Sequence, residues 1–262
     1  MTKIPALALA LAALLCLILA PAPAAQAQEA ADPTTQPRFL RVSHFDGQGY
    51  VLHGIVEPGT QIELIAVTGT GRCTATVPDS SAETLETMNG PVDITRLGNL
   101  PQCGLGDIAV AVSPPPRELE DLYLPPVYPG YDASPFFAPA RDAVMAEGDE
   151  FFGYAFDDSS KVSGFLDIQQ DDAILNFLLY KVADTSGGAS FTDAQILVAV
   201  TPTSAQAFKL GCNSFYKLFR LDGRLYLVTK WQCCSCGGNG YHVYAWHNDQ
   251  FTQLLENWDL DS

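Results

Sequence analysis

Turn punctuation constrains this chain more than any other feature. Residues 39–45, 50–56, 61–68, 72–77 and 108–112 are short runs rich in β-branched and aromatic residues, and the breaks between them include Asp46-Gly47, Pro58-Gly59 and Gly69-Thr70-Gly71. Such side chains suit a pleated, half-buried surface, while Gly, Pro and Asp supply the backbone angles of tight reversals. That spacing predicts the strands of a sandwich or barrel.

The same logic is sharper near the C-terminus. Residues 215–221 and 224–231 flank Asp222-Gly223, and residues 241–247 and 250–256 flank Asn248-Asp249. Both dipeptides suit a type I′ turn, whose two central residues need positive φ, so a four-stranded antiparallel meander is predicted. Between the two regions, 150–156, 162–168 and 194–200 read as strands and 140–146 as a short helix. Residues 173–182 are almost wholly apolar, a pattern that fits a buried strand or a helix alike.

Eight of the chain's 18 prolines fall in residues 113–139, interleaved with Tyr123, Tyr128 and Tyr131. Proline lacks the amide hydrogen and disfavours helix in the residue before it, so this segment is expected as an extended linker, neither helix nor central strand. The fold class expected is therefore mainly β with few short helices. It comprises a sandwich-like unit at 38–112 and an antiparallel meander unit at 140–262.

Two local likenesses accompany this reading. The stretch 56–64, Val-Glu-Pro-Gly-Thr-Gln-Ile-Glu-Leu, resembles the turn-then-strand of extracellular immunoglobulin-like modules. The meander's cadence is similar to one blade of a β-propeller, but the sequence holds one convincing copy where a propeller needs several.

Residues 1–27 read as a secretory signal peptide. Lys3 precedes an apolar run from Ile4 to Ala20, and small residues lead to Ala25-Gln26-Ala27, an A-x-A cleavage site. Cys16 lies inside the apolar run, without the small residues that precede a lipid-attachment cysteine. Residues 28–37, small and polar with two prolines, are expected to be a disordered mature N-terminus. No later stretch has the roughly 18 apolar residues of a membrane helix, so no insertion is expected after cleavage.

Charge narrows the partners. The chain carries 30 Asp and Glu against 14 Lys and Arg, a net −16, and losing Lys3 makes the product one unit more negative. Nucleic acids and anionic lipids are bound by neutralising phosphate with Lys and Arg, so both are excluded as expected partners. An unknown protein or small molecule remains, with cationic partners and divalent ions open.

With Cys16 removed, Cys73, Cys103, Cys212, Cys233, Cys234 and Cys236 remain. An even number in an exported chain points to disulfides. Cys73 and Cys103 share the first unit and are expected to pair. If Asp222-Gly223 closes a two-residue hairpin, Cys212 falls opposite Cys233 in a non-hydrogen-bonded pair, whose spacing a disulfide tolerates. Cys234 then points to the other face, leaving Cys234 and Cys236 as a labile pair or free thiols. A zinc site built from these thiolates with His242 or His247 is the competing arrangement. The adjacency of Cys233 and Cys234 opposes it, because zinc motifs set paired cysteines two to four residues apart.

No motif in the chain specifies a reaction. There is no G-x-S-x-G elbow, H-E-x-x-H pair, phosphate loop or D-x-D-x-D-G loop. His44, His53, His242 and His247 are expected as half-buried or surface residues, and the basic residues Lys209, Lys217, Arg220, Arg224 and Lys230 as partners of acidic neighbours within the fold. No metal and no cofactor is expected, and the catalytic residues, if any, are unknown. The class expected is a soluble, non-enzymatic binding or envelope-interaction protein, secreted or periplasmic. The alternatives are an extracytoplasmic hydrolase with scattered carboxylates and a thiol-disulfide protein using Cys234 and Cys236.

Overall fold

The computed structural model describes residues 37–45, 49–87, 90–98, 100, 103–106, 108–122, 139, 142, 154–155, 161–170, 173–184, 193–211, 216–232 and 239–258, all within one compact unit, Pro37–Ser262. All eighteen described elements are strands, so the chain is mainly β. The first nine are β1 (Arg38–Leu40), β2 (Val42–Phe45), β3 (Gly49–His53), β4 (Gln61–Ala66), β5 (Arg72–Thr76), β6 (Ala82–Thr87), β7 (Gly90–Gly98), β8 (Ala109–Ser113) and β9 (Leu119–Leu122). The rest are β10 (Tyr154–Ala155), β11 (Lys161–Gln170), β12 (Ala173–Asp184), β13 (Asp193–Val200), β14 (Ala205–Gly211), β15 (Tyr216–Leu221), β16 (Arg224–Gln232), β17 (Asn239–His247) and β18 (Gln250–Trp258).

Strand alternation explains how the sheets stack. In the sheet β1-β8-β4-β5, Ile62, Leu64, Ala66, Ala109 and Ala111 point one way, into a cluster with Val42, Tyr50, Leu52 and Leu97 of the sheet β2-β3-β7-β6. The intervening Ile65, Val110 and Val112 point the other way, into a cluster with Phe219, Leu221, Tyr226, Val228, Tyr241 and Val243 of β15, β16 and β17. Those strands in turn aim Leu218, Leu225 and Leu227 at a third cluster, with Leu175 and Phe177 of β12 and Leu197 of β13. Strands β4, β8, β15 and β16 thus bury apolar side chains on both faces, and β8 reads as an unbroken Ala-Val-Ala-Val run.

The ten-stranded sheet folds over so that its two halves share that third cluster. One half is built on β12, β13 and β14, the other on β15, β16, β17 and β18, and a parallel contact between Gly211 and Gln232 connects them. The predicted meander is present, with Leu221 paired to Arg224 and His247 to Gln250. Asp222, Gly223, Asn248 and Asp249 have φ of 48°, 79°, 51° and 61°, the positive values that a type I′ turn requires. Residues 173–182 are strand, not helix: β12 pairs with β11 and β13 along its length. Within the proline-rich segment, β9 pairs with β15 at a sheet edge, where proline neighbours are tolerated.

The expected signal peptide, residues 28–36 and Cys212, Cys233, Cys234 and Cys236 lie outside the described residues. So does the expected helix at 140–146, except for Asp142.

Candidate functional site

The buried polar chemistry gathers around the layer shared by the two β-rich regions. Lys217 on β15 is only 8% exposed. Its Nζ donates to the carbonyls of Ala66 at 2.9 Å and Gly69 at 3.0 Å, and to Asp121 Oδ2 of β9 at 3.2 Å. A buried ammonium must be paired and hydrogen-bonded, and three acceptors satisfy its three donors. Arg220, three residues on and therefore on the other face, donates to Glu120 Oε2 and to the Gln169 carbonyl of β11, both at 2.7 Å. At the turn, Asp222 Oδ1 accepts the amides of Arg117 and Glu118, each at 2.9 Å. Lys217 and Arg220 thus neutralise acidic neighbours as expected, and together with Asp222 they tie β15 to the layers on either side and to β9.

The loop that receives Lys217 is fixed by other means too. Cys73 and Cys103 form a disulfide with Cα atoms 5.2 Å apart. Gly71 packs so tightly on the Gly104 carbonyl that a Cβ there would collide with it. On β4, Glu63 is 2% exposed and bonds Arg72, with Thr74 Oγ1 donating to its second oxygen at 2.6 Å.

Among the histidines, His53 offers the one arrangement that looks chemical. Its Nε2 lies 2.9 Å from Ser43 Oγ, a nucleophile-to-base distance. Burial, helped by the charge of Arg41, lowers its pKa to about 4, so the imidazole is neutral at physiological pH. Two features separate it from a hydrolytic triad: Ser43 is buried, and the group acting on His53 is a cation where a triad needs a carboxylate to support the imidazolium. His44 packs on Tyr50 with ring centroids 4.8 Å apart, and His242 Nε2 is 3.6 Å from Glu256 Oε1. Asp167 apart, the carboxylates at 147–150, 157–158 and 171–172 lie outside the described residues.

Among the described residues, no group of three His, Cys, Asp or Glu is placed to hold a metal, and no helix is long and apolar enough to cross a membrane. Gly211 and Gln232, which immediately precede Cys212 and Cys233, are Cα partners across the β14–β16 contact. Sequence reasoning foresaw the Cys73–Cys103 pair and acidic partners for Lys217 and Arg220, but not the burial of Lys217 or its carbonyl acceptors. It missed the Ser43–His53 pair and the buried Glu63, because both arise from cross-strand neighbours that no local motif announces. In comparisons with known proteins, no family model, no curated protein and no solved structure matches this chain.

Proposed function

We propose that this is an exported, acidic contact protein that binds a partner in or at the cell envelope without transforming it. One observation carries the reading. Among the described residues, basic side chains pair within the chain, Arg72 with Glu63, Arg96 with Glu83, Lys217 with Asp121 and Arg220 with Glu120, while Glu57, Asp79, Glu86, Asp93 and Glu118 are exposed on a chain of net charge −16. A surface of one sign steers oppositely charged partners and repels its own kind. Export requires the leader at residues 1–27 to be removed, and intact mass of the mature material tests that step directly.

Equilibrium binding of the mature protein to isolated envelope fragments, repeated over a salt series, tests the function. Saturable binding that weakens steadily with salt is expected. Absence of saturable binding, together with turnover of ester or glycoside substrates, would contradict it and favour the hydrolase reading.

A second reading has its own support. Gly211 and Gln232 are Cα partners, and the residues that follow them in the sequence are Cys212 and Cys233. In this reading they bond by passing two electrons and two protons to the disulfide of an exchange protein, and Cys234 with Cys236 forms the exchangeable pair. Partial reduction with differential alkylation distinguishes the outcomes. A Cys212–Cys233 link with Cys234 and Cys236 labelled first supports it, and a link from Cys212 to Cys234 or Cys236 removes it.

A further inference from the structure

We infer that Gln206 is a gatekeeper that keeps the edge of β18 from pairing with a second copy of this chain. Among the described strands, β18 has one ladder partner, β17, so its far side is a sheet edge. The two-residue turn at Asn248-Asp249 makes His247 and Gln250 a hydrogen-bonded pair. Trp246 and Phe251 are then a non-hydrogen-bonded pair, and the Phe251 N–H and C=O point away from β17. Those two groups are what an added strand would bond.

Gln206, on β14, already occupies them. The Phe251 amide donates to Gln206 Oε1 at 2.6 Å, and Gln206 Nε2 donates to the Phe251 carbonyl at 3.3 Å. A carboxamide carries the same donor and acceptor as a peptide group, so the side chain stands in for a neighbouring strand at this position, and just before it Ser204 Oγ donates to the Asp249 carbonyl at 3.1 Å.

The rest of the edge shows why the substitution matters. Thr252, Gln253 and Leu254 are exposed, Leu254 at 51%, and no charged residue lies between Gln250 and Leu255. Edge strands are ordinarily protected by charge, and β6 follows that rule with exposed Glu83 and Glu86. β18 does not. Two copies at −16 repel over most of their surface, and this uncharged strip is where they approach at least cost. Antiparallel pairing of β18 with itself about a twofold axis forms a closed, isologous contact.

Sedimentation velocity over a concentration series tests the inference, using the full mature chain. The wild type is expected to be monomeric, while Gln206→Ala, and Gln206→Met, which keeps the bulk but removes both hydrogen bonds, should dimerise with an association constant raised about tenfold or more. Adding Thr252→Lys should restore the monomer, because an edge lysine opposes strand addition. Far-UV circular dichroism identifies which variant is folded, and either one suffices. Monomeric behaviour of the folded variant, a wild type that dimerises equally well, or a dimer indifferent to Thr252→Lys would overturn the inference.

Discussion

The two cores on either side of the shared layer are held by different chemistry. Around the sheets β1-β8-β4-β5 and β2-β3-β7-β6, apolar packing is supplemented by the Cys73–Cys103 disulfide, the Glu63–Arg72 ion pair and the Gly71 contact. Among the described residues, the core between the halves of the ten-stranded sheet carries aromatic contacts: the ring centroid of Phe251 lies 5.8 Å from that of Phe177, 5.8 Å from that of Phe208 and 5.1 Å from that of Trp246.

If the contrast is sound, the largest effect belongs to the disulfide. It closes a loop of 30 residues, and replacing both cysteines with serine is expected to lower stability in urea by about 3–4 kcal/mol in the loop-entropy picture. A loss below about 1 kcal/mol would erase the distinction between the cores. Next comes Lys217→Met, which strips two carbonyls of their donor and leaves Asp121, 36% exposed, without its cation. Because that carboxylate still reaches water, the expected cost is about 2–4 kcal/mol, below that of breaking a wholly buried pair. Rescue of stability by Lys217→Arg would show that charge alone suffices, and would weaken the assignment of the two short carbonyl contacts.

His53 sharpens the comparison through pH. Its folded pKa is lowered to about 4 from 6.5, so between those values the unfolded chain binds a proton that the folded chain refuses. Its contribution is fully present above about pH 6.5 and is lost as pH falls toward 4, by up to about 3 kcal/mol. His53→Gln should flatten that part of the profile, and an unchanged slope would assign the acid sensitivity to carboxylates instead.

Legibility followed the physics of each element. The turns at Asp222-Gly223 and Asn248-Asp249 were readable because few residues reach positive φ cheaply. β12 was ambiguous because it is buried on both faces, Leu175 and Phe177 on one and Leu178 and Tyr180 on the other, which removes the alternation that marks a strand. β6 was missed for the opposite reason: Ala82, Glu83, Thr84 and Glu86 are exposed, so its sequence resembles any polar surface. β9 pairs with β15 across the chain, a partner that its own residues, Leu-Glu-Asp-Leu, do not announce. The bonds from Lys217 to Ala66 and Gly69 span 151 and 148 residues, and the bonds between Gln206 and Phe251 cross between two halves of a sheet. No local pattern encodes such partners. The Cys73–Cys103 pair was readable from domain placement alone, because both cysteines precede the proline-rich segment.

In the middle layer, Ile65, Val110 and Val112 share one core with Phe219, Tyr226 and Val228. All three tryptophans, Trp231, Trp246 and Trp258, lie in β16, β17 and β18, so their fluorescence reports the meander alone. Urea unfolding followed by that fluorescence, and in parallel by hydrogen exchange of peptides covering β4 and β8, measures both sides of the shared core. A common midpoint for the two signals is predicted, because neither side can expose that core without the other. A meander that stays folded after β4 and β8 have opened would contradict it.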